Sequence, residues 1–335
     1  MKVLVLGGTG LISQAIVAQL SGRGDEVWIY NRGITPSVLP PGTVLCHGSR
    51  SDGAALTALS AEQSFDAVID MICFTARDAD VAVEAFGGRT AQYVMCSTVD
   101  VYTKPARYYP VDEEHERRPS PAFGYAFGKQ QAETVLGAAH ADGRFALTVL
   151  RPAATYAAHV VAPLGTMDLY VDRLRRGLPV ILPGDGTSLW VACHRDDVAS
   201  AFVRSLGNPA AYGTAYNVAS DELLTWDTYW GTFADALGIE APRFLHVPTD
   251  VLAAAVPDLA GWCVQNFHHN NIIDSARARQ DLDFASTIRW AEGARMVAQD
   301  WVPALVDEAL ARRYDLLVDA WQRATKGLTA AEAGE

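Results

Sequence analysis

The stretch KVLVLGGTGLIS, residues 2–13, decides the fold of this chain of 335 residues. Five residues typical of a β-strand end at two glycines, and apolar residues then recur at helical spacing up to Leu20. A second apolar run follows at residues 27–30. This succession predicts a strand, a helix and a second strand parallel to the first.

Further apolar runs alternate with segments of helical pattern through the first half of the chain. The runs lie at residues 44–46, 67–72, 92–96 and 146–150, and the helical patterns at 54–59, 78–86 and 129–139. Strands that alternate with helices form a parallel sheet covered on both faces. We therefore predict an α/β fold with a Rossmann-type, doubly wound parallel sheet.

The composition changes after residue 152, where proline, glycine and aromatic residues become frequent. We predict a dinucleotide-binding domain at residues 1–155, rejoined by segments near 190–218. A smaller, mixed substrate-binding lobe is expected at residues 156–335. Helical spacing also predicts a C-terminal helical stretch over residues 290–321.

The glycine turn after the first strand has the composition of a dinucleotide-binding loop. Glycines allow a tight turn and let a pyrophosphate approach backbone amides at a helix N-terminus. The residues expected to bind the cofactor here are Gly7, Thr9, Gly10, Leu11 and Ile12. Ser13 replaces the third glycine of the usual pattern and is small enough for close helix packing. The alternative is a flexible turn without a ligand, but a turn between a strand and a helix favours the nucleotide site.

The end of the second strand bears on the type of cofactor. NAD-selective folds place a carboxylate there for the ribose hydroxyls, whereas this chain has Asn31-Arg32-Gly33. Arg32 at this position favours contact with adenine and a 2′-phosphate; the alternative is a solvated surface arginine. The sequence therefore favours NADP, with NAD possible, and adds Asn31 and Arg32 to the expected cofactor-binding residues.

Three residues that follow the fifth strand in the sequence form a candidate catalytic set. Thr98 follows that strand, and Tyr125 and Lys129 lie four apart on one face of a predicted helix. An ammonium beside a phenol lowers the phenol pKa, so that the phenolate accepts a proton from an alcohol while hydride leaves for nicotinamide. The Thr98 hydroxyl can hold the substrate oxygen. Alone, a Tyr-x-x-x-Lys spacing is common on surface helices; with the glycine turn it predicts alcohol–carbonyl chemistry.

With these motifs, the chain resembles the extended short-chain dehydrogenase/reductases, the NAD-dependent epimerase/dehydratase family. The resemblance continues through Leu150-Arg151-Pro152, Pro183-Gly184-Asp185-Gly186, His194-Arg195-Asp196-Asp197-Val198-Ala199, Tyr216-Asn217-Val218-Ala219 and Asp274-Ser275-Ala276-Arg277. It looks most similar to the atypical branch that contains the chloroplast stem-loop-binding proteins.

The resemblance implies an enzyme acting on a secondary alcohol or ketone of a sugar, nucleotide or related polyol. It aligns Thr98 with the catalytic Ser/Thr, Tyr125 with the base and Lys129 with its partner, which also binds cofactor. It leaves open whether the reaction is net oxidation–reduction or epimerisation. By analogy we expect a homodimer built on residues 78–86 and the helix that begins near Tyr125. Candidate substrate contacts are Cys73, His159, Trp190 and Arg277.

Composition argues against several other classes of function. The formal net charge is −12, which repels nucleic-acid backbones. The five cysteines form no CxxC pair, and His268-His269 has no ligand-like spacing, so no metal is expected. No apolar run is long enough to span a membrane, and we expect a cytoplasmic protein. The alternative function is a non-catalytic, cofactor-sensing or RNA-associated Rossmann protein.

Overall fold

The computed structural model of the protein describes residues 1–332, with side chains described for residues 1–326. The strands are β1 Lys2–Leu6, β2 Glu26–Asn31, β3 Val44–His47, β4 Phe65–Asp70, β5 Thr90–Cys96, β6 Ala146–Pro152, β7 Ala154–Tyr156, β8 Val180–Pro183, β9 Ala192–His194, β10 Thr214–Val218 and β11 Phe244–Val247. The α-helices are α1 Leu11–Arg23, α2 Gly53–Glu62, α3 Ala76–Phe86, α4 Gly124–Ala141, α5 Met167–Arg175, α6 Arg195–Ser205, α7 Trp226–Ala236, α8 Thr249–Ala255, α9 Ala276–Leu282, α10 Trp290–Asp300 and α11 Glu308–Glu332.

Seven strands form one parallel sheet in the order β10-β6-β5-β4-β1-β2-β3. The chain order reverses beside β1, where Leu6 pairs with Tyr30 of β2 on one side and Asp70 of β4 on the other. In such sheets ligands bind beyond the carboxyl ends of the strands at this switch point. The predicted Rossmann-type, doubly wound fold is confirmed, and the glycine turn lies at the switch point.

The sheet is covered on both faces, which explains its nearly continuous apolar strands. On one face, Ile16 and Leu20 of α1 pack with Phe202 of α6. On the other, helices α2, α3 and α4 contribute Leu56 and Leu136 among others. The predicted homodimer involves α3 and α4, which pack against each other in this layer, and it stays a prediction.

The chain divides into two compact units, and the first contains the sheet. This unit comprises Met1–Tyr156, Val191–Glu222 and Ile272–Ile288. The sequence predicted a return near residues 190–218, but it gave no sign of the second return, which carries α9. Beside β10, Asn217 donates a side-chain hydrogen bond to the Asp274 carbonyl (3.1 Å), and the Ala219 amide donates to Ser275 Oγ (3.0 Å). Hydrogen bonds distant in sequence therefore hold α9 to the first unit.

The second unit has a core of large aromatic rings. It comprises Ala157–Trp190, Leu223–Asn271 and the chain from Arg289 onward, with β8 and β11 as a parallel pair. Tyr229 stacks on Trp290 with 4.0 Å between ring centroids. The single helical stretch predicted over residues 290–321 is wrong, because α10 and α11 are separate helices. Pro303 lies between them, and proline lacks the amide N–H that a helix interior needs. No helix within residues 1–332 is long and apolar enough to cross a membrane.

Candidate active site

The glycine turn has the geometry required of a pyrophosphate cradle. Gly7 and Gly8 have φ angles of 111° and 72°, which favour glycine. A Cβ on Gly8 would lie 2.5 Å from the Ile29 side chain, so the turn presses directly against β2. Buried Ser13 accepts a hydrogen bond from the Gly10 amide (2.8 Å) and fits the close-packed position. The turn therefore tolerates serine in place of the third glycine.

The N-terminus of α1 carries amides suited to an anion. Gly10 is the N-cap and provides no side-chain oxygen. Among the described residues, no acceptor engages the amides of Leu11 and Ile12. Unsatisfied N–H groups and the helix dipole favour a negative group at such a position. The local structure therefore fits the phosphates of a dinucleotide.

At the end of β2, the Asn31 side chain closes the turn. Its Nδ2 donates to the Gly7 carbonyl (3.2 Å), and its Oδ1 accepts from the Gly33 amide (2.8 Å). Arg32 is exposed, and the described part of the chain provides it with no carboxylate partner. Asn31 thus has a structural role that the sequence did not reveal, while the Arg32 guanidinium is available to a ligand.

The three predicted catalytic residues meet where β5 ends and α4 begins. Thr98 caps a 3₁₀ turn over Val99–Val101, and Tyr125 lies in the first turn of α4. Thr98 hydrogen-bonds to the Tyr125 hydroxyl. Lys129, one turn further along α4, donates from Nζ to the Cys96 carbonyl at 2.6 Å. The structure thus places the tyrosine beside the threonine, and the lysine against the end of β5.

Tyr125 is a neutral phenol in this environment. Partial burial raises its pKa above the usual value, and the neighbouring Cys96 and Asp100 raise it further against the opposing hydrogen bond from Thr98. The residue as a whole nevertheless stays 37% exposed. At neutral pH its hydroxyl is therefore protonated.

A buried ion pair behind Thr98 was not predicted from the sequence. Thr98 Oγ1 lies 3.1 Å from Asp100 Oδ2, and Lys104 Nζ donates to Asp100 Oδ1 at 3.1 Å. Burial lowers the pKa of Lys104, and the Asp100 carboxylate opposes that shift. The four-residue spacing of Asp100 and Lys104 was visible in the sequence, but nothing indicated that the pair is buried beside Thr98.

A second charge network lies deeper along α4. Glu133 accepts hydrogen bonds from Arg151 Nε (2.9 Å) and Nη2 (2.7 Å), from Arg117 (2.5 Å) and from Ser97 (2.5 Å). Burial raises the pKa of the Glu133 carboxyl, but these donors outweigh it and hold that pKa below its usual value. The network ties α4 to β6 and to the residue that follows β5, and so fixes the helix that carries Tyr125 and Lys129.

Two of the candidate substrate residues belong to the first unit. Cys73 is fully buried, and burial together with Asp70 raises the pKa of its thiol, so it is a neutral thiol. Arg277 donates to Glu114 (2.8 Å) and lies 3.7 Å from Glu113. Cys73 is thus enclosed by the protein and Arg277 is paired with glutamates, and contact with substrate stays a prediction for both residues.

The other two belong to the second unit. His159 is exposed. Trp190 is only 4% exposed and stacks on Trp226 with 4.1 Å between centroids. Its indole Nε1 finds no acceptor among the described residues. Trp190 is a core residue of the aromatic cluster, and substrate contact stays a prediction for both residues.

Comparison with known proteins identifies the class. The model of the NAD dependent epimerase/dehydratase family matches residues 3–219, which include the glycine turn and all three catalytic candidates. A 2′-dehydrokanamycin reductase from Streptomyces kanamyceticus is 31% identical over 71% of this chain and 67% of its own length. The chain belongs to the NAD dependent epimerase/dehydratase family and is an enzyme of the short-chain dehydrogenase/reductase type.

Other similarities are more distant. The chloroplast stem-loop binding protein of 41 kDa b from Arabidopsis thaliana is 26% identical over 73% of this chain and 65% of that protein. A UDP-glucose 4-epimerase from Thermotoga maritima, solved with UDP-glucose, has a TM-score of 0.71 at 18% identity and covers 90% of this chain and 98% of its own. A dTDP-glucose 4,6-dehydratase from Bacillus anthracis, solved with NAD, has a TM-score of 0.71 at 18% identity and covers 89% and 96%. The two structures establish a shared fold.

Proposed function

We propose that this enzyme interconverts a ketone and a secondary alcohol on a sugar-like polyol, with Tyr125 as the proton donor and acceptor. The observation that carries the proposal is the Tyr125 hydroxyl hydrogen-bonded to Thr98, with the Lys129 ammonium one helical turn away. A bound nicotinamide dinucleotide would supply or accept the hydride. Gly7, Thr9, Gly10, Leu11, Ile12 and Lys129 are the residues proposed to hold it.

The roles of the side chains follow from their protonation states. Thr98 binds the substrate oxygen and orients it toward Tyr125. In reduction, Tyr125 gives its proton to that oxygen as the carbon gains hydride, and Lys129 stabilises the resulting phenolate. In oxidation the same proton moves back. Because the resting phenol is neutral, ketone reduction can begin without prior ionisation of Tyr125.

Net reduction is favoured over epimerisation by two observations. The elevated pKa of Tyr125 suits a proton donor, and the reductase that acts on 2′-dehydrokanamycin is more similar in sequence than the structurally matched epimerase, at 31% against 18% identity. We therefore favour a ketone on a sugar or amino sugar as substrate.

The experiment is reduction of a panel of keto-sugars, including keto derivatives of amino sugars, followed by loss of the reduced nicotinamide absorbance. Tyr125→Phe is expected to lower kcat by about 100-fold or more, because general acid catalysis by a placed side chain contributes about 10²–10⁴-fold. Cofactor affinity should not change. Tyr212→Phe, at an exposed tyrosine of the same unit, is the matched control and should leave kcat unaltered.

Turnover by Tyr125→Phe at the wild-type rate would disprove the assigned role. A wild-type protein that binds cofactor and stem-loop RNA but turns over no keto-sugar would instead favour the non-catalytic, RNA-associated alternative.

For the cofactor we propose NADP over NAD, with Asn31 shaping the turn and Arg32 facing the 2′-phosphate. Arg32 is exposed at the end of β2, and no carboxylate stands there. Arg32→Ala is expected to weaken NADP binding about tenfold, the value of ~1.4 kcal/mol for one charge-assisted contact, and to leave NAD binding unchanged. Titration of both cofactors against wild type and variant measures this, and equal losses for the two would refute the assignment.

A further inference from the structure

The Lys129 ammonium is buried without a counter-ion. Its side chain is 1% exposed, and within residues 1–326 no carboxylate oxygen lies within 4.0 Å of Nζ. Its neighbours are the Cys96 carbonyl at 2.6 Å and the ring of Phe74, whose centroid is 4.4 Å from Nζ. A buried cation needs compensation, and an aromatic face provides it through the ring quadrupole.

Phe74 is held in place by both of its neighbouring helices. The amides of Phe74 and Thr75 donate to the Asp78 carboxylate at 3.0 and 2.9 Å, which fixes the start of α3. On the side of α4, a Cβ on Gly128 would lie 2.4 Å from the Phe74 carbonyl oxygen. Only glycine at position 128 allows α4 to approach this closely, so the residue before Lys129 brings the ammonium and the ring together.

We propose that Phe74 is a positioning residue whose aromatic face seats the Lys129 ammonium beside Tyr125 without neutralising its charge. A carboxylate in the same place would hold the lysine equally well, but it would cancel the positive field that stabilises a phenolate at Tyr125. The Phe74 ring is also close to the Tyr125 ring, at 6.4 Å between centroids, and 45% of the residue is exposed. The seating follows from the geometry, while its effect on catalysis rests on the function proposed above.

The seating can be tested without turnover because the chain has only four lysines, Lys2, Lys104, Lys129 and Lys326. In protein labelled with ¹³C at the lysine ε-carbon, Lys129→Arg identifies the Lys129 signal. Protons above an aromatic face are shifted upfield, so this signal should lie upfield of an exposed lysine. Phe74→Leu should abolish the shift, and Phe74→Tyr should retain it. A Lys129 signal that Phe74→Leu does not move would overturn the seating.

The catalytic effect is tested by fluorinated phenylalanines at position 74. Fluorine withdraws charge from the ring face but hardly changes its size, so a packing role predicts no trend. We expect kcat to fall stepwise from phenylalanine through mono-, di- and trifluorophenylalanine, and to fall about tenfold in Phe74→Leu. KM should change much less than kcat. Phe127→Leu, at an aromatic residue of α4 with 37% exposure, is the matched control and should leave kcat unaltered.

Each outcome separates this inference from the proposed function. A kcat independent of fluorination would overturn the catalytic part, even with the ring-current shift present. If no keto-sugar is turned over, the proposed function fails, but the lysine signal still decides whether Phe74 seats Lys129. Gly128→Ala provides an independent check, because it should reduce both the upfield shift of the Lys129 signal and kcat. If neither the shift nor kcat falls, the close approach of α4 to Phe74 is contradicted.

Discussion

Lys129 and Glu133 lie four residues apart on α4, both buried, yet the protein surrounds the two charges in opposite ways. Glu133 accepts hydrogen bonds from two arginines and a serine. Lys129 has a backbone carbonyl and the ring of Phe74. The negative charge of Glu133 is therefore fully compensated, whereas the positive charge of Lys129 is not neutralised by a counter-ion.

The difference separates a structural charge from a chemical one. The negative charge of a buried carboxylate paired with two guanidinium groups is fully offset, and the pairing links the elements that carry its partners. An ammonium held by neutral groups still acts on nearby titratable residues, and Tyr125 is one helical turn away. We therefore expect Glu133 to matter chiefly for folding and Lys129 chiefly for the reaction.

The largest effects are expected when both stability and kcat are measured for a variant of each residue. Glu133→Gln leaves the buried guanidinium of Arg151 without its counter-ion and should lower the free energy of unfolding by about 3–5 kcal/mol. Lys129→Met replaces the buried ammonium with an uncharged side chain of similar length. It should change the free energy of unfolding much less than Glu133→Gln does, and it should lower kcat about 100-fold. Denaturant unfolding and steady-state kinetics of both variants measure the crossed pattern.

The pH dependence of stability provides a second test of the role of Glu133. Because the pKa of Glu133 is lowered in the folded protein, its contribution to stability is present above the unfolded pKa and is lost as the pH falls through the folded value. Wild-type stability should therefore fall on acidification more steeply than that of Glu133→Gln. Equal loss of stability in Glu133→Gln and Lys129→Met would contradict the view that Glu133 serves mainly folding and Lys129 mainly the reaction.

The sequence predicts a feature well when the residues that form it are close together along the chain. The glycine turn and the Tyr125–Lys129 spacing are local patterns, and helical periodicity alone brings the latter two onto one face. The partners of Glu133 lie in β6 and in the loop that holds Arg117, so only the folded sheet reveals them. The same holds for Phe74, which meets Lys129 because Gly128 lets two helices approach.

Residues of the second half were harder to interpret for the same reason. Trp190 is a candidate substrate contact in the sequence, but it is buried against rings more than thirty residues away, such as Trp226. The return of residues 272–288 to the first unit depends on hydrogen bonds from Asn217 and Ala219 to residues over fifty positions later. No local period encodes such contacts.

A smaller effect should come from the pair on the other side of Tyr125, where Lys104 is compensated and Lys129 is not. Burial and Cys96 raise the pKa of Tyr125, and so does the negative charge of Asp100. Removing that charge in Asp100→Asn should lower the pKa of Tyr125. The limb of the pH–rate profile that reports Tyr125 should then move to lower pH, by on the order of one pH unit.

Lys104→Met should move that limb the opposite way. Lys104 donates to Asp100 at 3.1 Å and offsets its charge, so its loss strengthens the negative field at Tyr125 and raises the phenol pKa. Asp142→Asn, at the far end of α4, changes the net charge as Asp100→Asn does and should leave the profile in place. Profiles that shift in the same direction for Asp100→Asn and Lys104→Met would mean that the pair acts on Tyr125 through packing. Opposite shifts would show that the charge of Asp100, moderated by Lys104, sets how readily Tyr125 gives up its proton.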